Sequence, residues 1–185
     1  MDITLLGYSE IFISLLVAVL LGAILGIERN LAGKVAGMRT YSLVSLGSAL
    51  FVIISRSVIA TAGPLAANID PLRMASQVIV GIGFIGAGLV VLKGSRLTGI
   101  TTAAGVWVSA GVGMACGFGL YSIAFFAAGF SLFIFTIFWI IERDFINKGL
   151  VKTVYPRDVL PAERSSISDE GKDKKKEEDD DDEEE

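Results

Sequence analysis

A carboxylate among three cations, Glu28, Arg29, Lys34 and Arg39, stands directly after the uncharged stretch 11–27. Ionisable side chains at the edge of such a stretch are costly to desolvate, so they are the first candidates for ion pairing, ion contact or partner recognition. A second group, Asn68, Asp70, Arg73 and Gln77, lies before another apolar run. Asp70 followed by proline also has the form of a helix start, with the acid at the cap and proline at the first helical position. Thr101 and Thr102 open a further apolar run, where hydroxyls can bond across helices, line a cavity or bond back to the preceding turn. Arg56 lies near the end of another run and has the reach to snorkel outward.

Metal and catalytic chemistry have little to build on. The chain has no histidine and one cysteine, Cys116, so the usual neutral-pH proton shuttle is missing and no internal disulfide can form. Cys116 reads as a small apolar packing residue. A hard cation such as Mg²⁺ wants oxygen ligands. Glu10, Glu28 and Asp70, the carboxylates within reach of the apolar segments, fall on different sides. No dedicated Mg²⁺ path is legible, and no cofactor is expected beyond a loose Mg²⁺ interaction. Without a clustered nucleophile and base, the chain does not read as an enzyme. The run Gly81, Gly83, Gly86 fits a G-x-G-x-x-G pattern, but it lies inside an apolar span with Glu142 as the next acid. A dinucleotide site needs a strand, a helix and an acid about 20 residues on. No phosphate-binding loop with its lysine is present, which argues against an ATP-driven pump. With no basic stripe, nucleic acid is not an expected partner.

The elements that must position these residues are membrane helices. Of 185 residues 52% are hydrophobic, mean hydropathy is +0.64, and no charge occurs between Leu97 and Ile141. Crossing a hydrocarbon layer of roughly 30 Å takes about 20 apolar residues in a helix. Five segments are predicted: 11–27, 40–60, 74–92, 98–116 and 120–141. The last two are divided at Gly117-Phe118-Gly119, because glycines mark a turn. The N-terminal stretch lacks a basic flank, so the first segment reads as a permanent span and not a cleaved signal.

Lysines and arginines fall nine on one side of the bundle (29, 34, 39, 93, 96, 143, 148, 152, 157) and two on the other (56, 73). This bias predicts the N-terminus outside and the C-terminus in the cytoplasm. The expected organisation is an all-α membrane domain of about five helices over residues 1–144. A short cytoplasmic tail, 145–185, follows. It ends in nine acidic residues and is too polar to order itself by burial.

Small residues should set the helix packing. Ser14, Ala18, Gly22 and Gly26 recur at every fourth position, as do Gly105, Ser109, Gly113 and Gly117. Gly81, Gly83, Gly86 and Gly88 crowd the third segment. Lipid does not drive helices together, so such faces mark close backbone approach. The approach is to another helix of the bundle, to a second copy or to a partner; on the partner alternative, leucine at Gly113 and Gly117 should abolish its capture.

Four runs in order, GAILGIERN (22–30), AGMRTYSLVSLG (36–47), DPLRMASQVIVGIGFIGAG (70–88) and LTGITTAAGVW (97–107), together resemble the MgtC/SapB family of membrane proteins. The resemblance covers about residues 22–119. It implies a five-span membrane domain in a bacterial inner membrane, linked to magnesium homeostasis and stress adaptation. It also implies either a regulator that binds other membrane proteins or a transporter of Mg²⁺ or another cation. The family-like positions include Glu28, Arg29, Arg39, Asp70, Arg73, Gln77, Thr101 and Thr102. Many relatives carry a folded cytoplasmic domain after the fifth helix, where this chain has its short acidic tail.

Overall fold

A computed structural model describes residues 7–62, 70, 72–93 and 96–141. The expected domain boundary at 144, the acidic tail and Asn68 lie outside the described residues. The elements are α1 (Tyr8–Leu31), α2 (Met38–Thr61), α3 (Arg73–Leu89), β1 (Val91–Lys93), β2 (Arg96–Thr98), α4 (Ile100–Gly117) and α5 (Tyr121–Phe133), which runs into a π-helical turn, Ile134–Phe138. Among the described residues, four helices are long and apolar enough to cross a membrane: α1, α2, α4 and Tyr121–Ile141. The apolar α3 is shorter, at 17 residues.

Their outward faces carry large apolar groups, such as Phe12, Leu16, Leu20 and Ile24 on α1 and Phe125, Phe126, Phe130 and Phe133 on α5. In water that much exposed apolar surface would drive association; in a bilayer it is solvated by lipid tails. The inward faces are small and close-packed. α1, α2 and α4 form the tightest group, α5 packs on α4, and α3 packs mainly on α4 and only lightly on α2. Leu25, Tyr41, Val52, Val106, Val112 and Cys116 are fully buried among them.

The division of the charge-free run is a helix stop of known form. Gly119 has φ +77°, its N–H donates to the Cys116 carbonyl at 2.9 Å, and the Leu120 N–H donates to the Ala115 carbonyl at 2.8 Å. This is the Schellman arrangement, which needs a left-handed residue and so favours glycine. Arg56 completes the stop. It does not snorkel outward as expected: Nη1 donates to the Gly117 carbonyl at 2.7 Å, placing a cation at the negative end of α4.

The third segment departs from expectation. The helix ends at Leu89, not at Leu92, and an antiparallel hairpin pairs Val91 with Thr98 and Leu92 with Leu97. Gly99 makes this possible. It has φ +92°, and a side chain there would collide with the Leu89 carbonyl oxygen. Hydropathy cannot tell a final helical turn from a short strand of the same apolar residues. α3 begins at Arg73, one residue ahead of the expected segment. Asp70 stands just before it, and its Oδ1 accepts from the Leu72 N–H at 2.9 Å.

Candidate functional site

Among the described residues, the deepest charged group is Arg29. It sits in the last turns of α1, on the same face as Gly22, Leu25 and Gly26. Glu28, its neighbour in sequence, turns back to form a two-pronged ion pair: Arg29 Nε donates to Glu28 Oε2, and Nη2 donates to Oε1 at 2.6 Å. Adjacent residues on a helix do not normally face each other. Here burial forces it, since the Arg29 side chain is 4% exposed and the Glu28 side chain 22%, and a desolvated guanidinium needs an anion. The guanidinium carbon lies 3.9 Å from the centre of the Phe135 ring, a cation–π contact worth about 2 kcal/mol when desolvated. Phe135 lies in the π-helical turn, a feature that inserts an extra residue and re-aims side chains, often at functional sites. Nothing in the sequence marked that turn.

Tyr41, from the first turn of α2, lies at the heart of the bundle. Its hydroxyl donates to the Thr102 carbonyl at 3.3 Å, and its own carbonyl accepts from the Ser109 hydroxyl at 2.9 Å. Thr102 is buried, as a packing or cavity residue would be, but the group it offers to Tyr41 is its backbone oxygen. Thr101 is exposed. Gly105 leaves the room that the Tyr41 hydroxyl and the Phe135 ring occupy. Among the described residues, Glu28, Arg29, Tyr41, Thr102, Gly105 and Phe135 therefore form one linked cluster where α1 ends and α2 and α4 begin. Arg39 is exposed and takes no part in it, and among the described residues Glu28 pairs with Arg29 alone.

The glycine faces meet within the bundle. A Cβ on Gly22 would lie 2.7 Å from the Tyr41 carbonyl oxygen, one on Gly26 would overlap the Met38 backbone, one on Gly113 the Ser45 backbone, and one on Gly117 would lie 2.7 Å from the Ala49 carbonyl oxygen. Gly113 and Gly117 thus seat α4 on α2, not an outside partner. The crowded glycines of α3 are the reverse. A side chain at Gly81 or Gly83 would meet nothing within 4 Å, and one at Gly86 would make only an ordinary contact with Ala103. The close neighbour expected at Gly81 and Gly83 is not found among the described residues.

Ser45 is the one buried side chain whose hydroxyl has no hydrogen-bond partner among the described residues. Ser48 bonds back to the Val44 carbonyl at 2.8 Å, four residues earlier. For Ser45 the equivalent acceptor is the Tyr41 carbonyl, which already receives Ser109. Ser45→Ala should be neutral or stabilise by up to about 1 kcal/mol, whereas Ser109→Ala should cost about 1 kcal/mol. Thermal unfolding of both variants in detergent checks this, and a larger loss in Ser45→Ala than in Ser109→Ala would contradict it.

At the other end of the bundle, Asp70, Arg73 and Gln77 are exposed and share the lining of one recess of about 250 Å³. No group of three or more possible metal ligands of the His, Cys, Asp or Glu type occurs among the described residues.

Apolar crossing-length helices, lipid-facing exteriors and a buried ion pair at one mouth define a multi-pass α-helical membrane protein. The MgtC family model matches residues 15–144, and the chain belongs to that family. It is 38% identical over 142 residues to the "Putative magnesium transporter YhiD" of Escherichia coli (strain K12), covering 76% of this chain and 66% of that protein. It is 35% identical over 147 residues to "Protein MgtC" of Brucella abortus (strain 2308), covering 77% and 59%. With "Protein MgtC" of Salmonella typhimurium (strain LT2) it shares 42% over 112 residues, covering 60% and 45%. The chain thus spans less than two thirds of the length of these relatives. No solved structure matches it.

Proposed function

We propose that this protein is a regulator or adaptor of other membrane proteins in magnesium homeostasis and stress adaptation, and that it carries no catalysis of its own. In this reading it lies in the inner membrane with its N-terminus outside and its C-terminus in the cytoplasm, and its partner is another membrane protein or a second copy. The supporting observation is the way α1, α2 and α4 close on one another. At Gly22, Gly26, Gly113 and Gly117 the helices meet backbone to backbone, leaving no width along those seams for a cation that keeps its waters. The inner acid, Glu28, is already neutralised by Arg29. A polar cluster so placed can hold the bundle in one shape against which a partner is recognised.

A second reading, a transporter of Mg²⁺ or another cation, is favoured by the name of the Escherichia coli relative. The two are separated by placing the purified, folded protein in sealed vesicles with a Mg²⁺-sensitive dye inside and imposing a gradient. The regulator reading expects entry no faster than in empty vesicles. Saturable entry that scales with protein content would replace it with the transporter reading.

A further inference from the structure

α3 leaves a groove beside α2. It has a volume of about 490 Å³ and is walled by apolar side chains, among them Leu43, Phe51, Val78 and Ile85. Its width comes from two bare glycines, Gly47 on α2 and Gly81 on α3, where a side chain would meet nothing within 4 Å. Met74 and Gln77 line both this groove and the recess of about 250 Å³ that also holds Ser55, Asp70 and Arg73. The hydrocarbon-like trough therefore opens, at the end where α3 begins, into a mouth carrying one carboxylate and one guanidinium.

Two features of this surface specify its occupant. The first is length. Along α3, from Met74 to Ile85, the trough follows eleven helical steps, about 16 Å, and along α2, from Leu43 to Phe51, eight steps, about 12 Å. Half of a hydrocarbon core of roughly 30 Å is about 15 Å, so the trough suits one acyl chain of one leaflet and is too short to seat a whole crossing helix. The second is charge. Asp70 and Arg73 are not paired with each other; the ion pair among the described residues is Glu28 with Arg29. Asp70 spends one oxygen on the Leu72 N–H, and Arg73 has no side-chain partner among the described residues. An unpaired acid and base at one apolar mouth complement a zwitterion: a phosphate on the guanidinium and an ammonium on the carboxylate.

We infer that the α2–α3 groove is a binding site for an aminophospholipid, with one acyl chain along Gly47 and Gly81, its phosphate at Arg73 and its primary ammonium at Asp70. A phosphatidylethanolamine headgroup fits both charges. A phosphatidylcholine headgroup has no N–H to donate to Asp70, and a phosphatidylglycerol headgroup has no cation.

The test is native mass spectrometry of the full chain, purified in detergent and titrated with each of these three lipids. One phosphatidylethanolamine per chain should be retained, with an affinity about fivefold or more above that for the other two. Gly81→Leu, which fills the trough from α3, should lower that affinity at least about tenfold while the unfolding temperature stays at its wild-type value; Gly47→Leu does the same from α2 should the first variant fold poorly. Asp70→Asn should keep a bound lipid and lose the preference for phosphatidylethanolamine over phosphatidylglycerol. Equal retention of all three lipids by the wild type and by the filled variants would mean ordinary boundary lipid and would overturn the assignment. So would a lipid-free dimer that the filled variants convert to monomer, since a second copy would then occupy the groove.

Discussion

Leucine at Gly113 should remove the folded bundle, while leucine at Gly81 leaves it standing. Both glycines lie in apolar membrane segments and both belong to runs of closely spaced small residues, so composition gives no reason to separate them. The structure does. At Gly113 the new side chain would start inside the volume of the Ser45 carbonyl, a backbone group in the interior of α2 that no rotamer change can move. Overpacking a tight core costs about 1–3 kcal/mol and more where the backbone must shift; here α4 has to leave α2, carrying the Ser109–Tyr41 hydrogen bond with it. At Gly81 the side chain enters open space. Size-exclusion profiles and thermal unfolding in detergent should show Gly113→Leu aggregated or strongly destabilised, with Gly81→Leu close to wild type. Equal behaviour of the two would mean that α4 does not rest on α2 as described.

The second large effect is expected at the ion pair. Glu28→Gln keeps the shape of the side chain but leaves the Arg29 guanidinium, 4% exposed, without its counter-charge. Removing one member of a buried pair costs about 3–5 kcal/mol; the partial exposure of Glu28 places the expected loss near the lower end, about 3 kcal/mol. The cation–π contact with Phe135 remains, but it cannot replace an anion. Replacing both charges, Glu28→Gln with Arg29→Met, should recover most of the loss, because an apolar chain of similar length suits the site once the charge is gone. Denaturation of the single and double variants measures this. A single variant as stable as wild type would show that Arg29 reaches water or a lipid phosphate instead.

What the sequence makes legible and what it hides divide along a physical line. Apolar length, the glycine stop at 117–119 and the fourfold spacing of small residues on α1 and α4 were legible, because each is a local property that the fold only has to honour. What a face touches was not. The α4 glycines and the α3 glycines both read as faces for close approach, and only the placement of α2 separates them. Glu28 stands out in the sequence as the acid at the end of an apolar run, yet Arg29, one residue on, is the group driven inside. Its aromatic partner is more than a hundred residues away and is brought there by a π-helical turn with no sequence signature. Arg56 reads as a residue that snorkels outward because a long cation near a helix end can reach water; the Gly117 carbonyl offers a nearer partner.

The unequal helix lengths carry a consequence for the membrane itself. α1 and α2 have 24 residues each, about 36 Å of helix, while the 17 residues of α3 give about 25 Å. No single hydrocarbon thickness near 30 Å suits both. The long helices can tilt; thinning the lipid beside α3 by a few ångströms costs a fraction of a kcal/mol for each. The bilayer is therefore expected to thin beside α3. The chain should gather in thinner regions of the bilayer, and a neighbouring protein whose span is equally short would be drawn to that flank by the shared relief of strain before the two proteins touch.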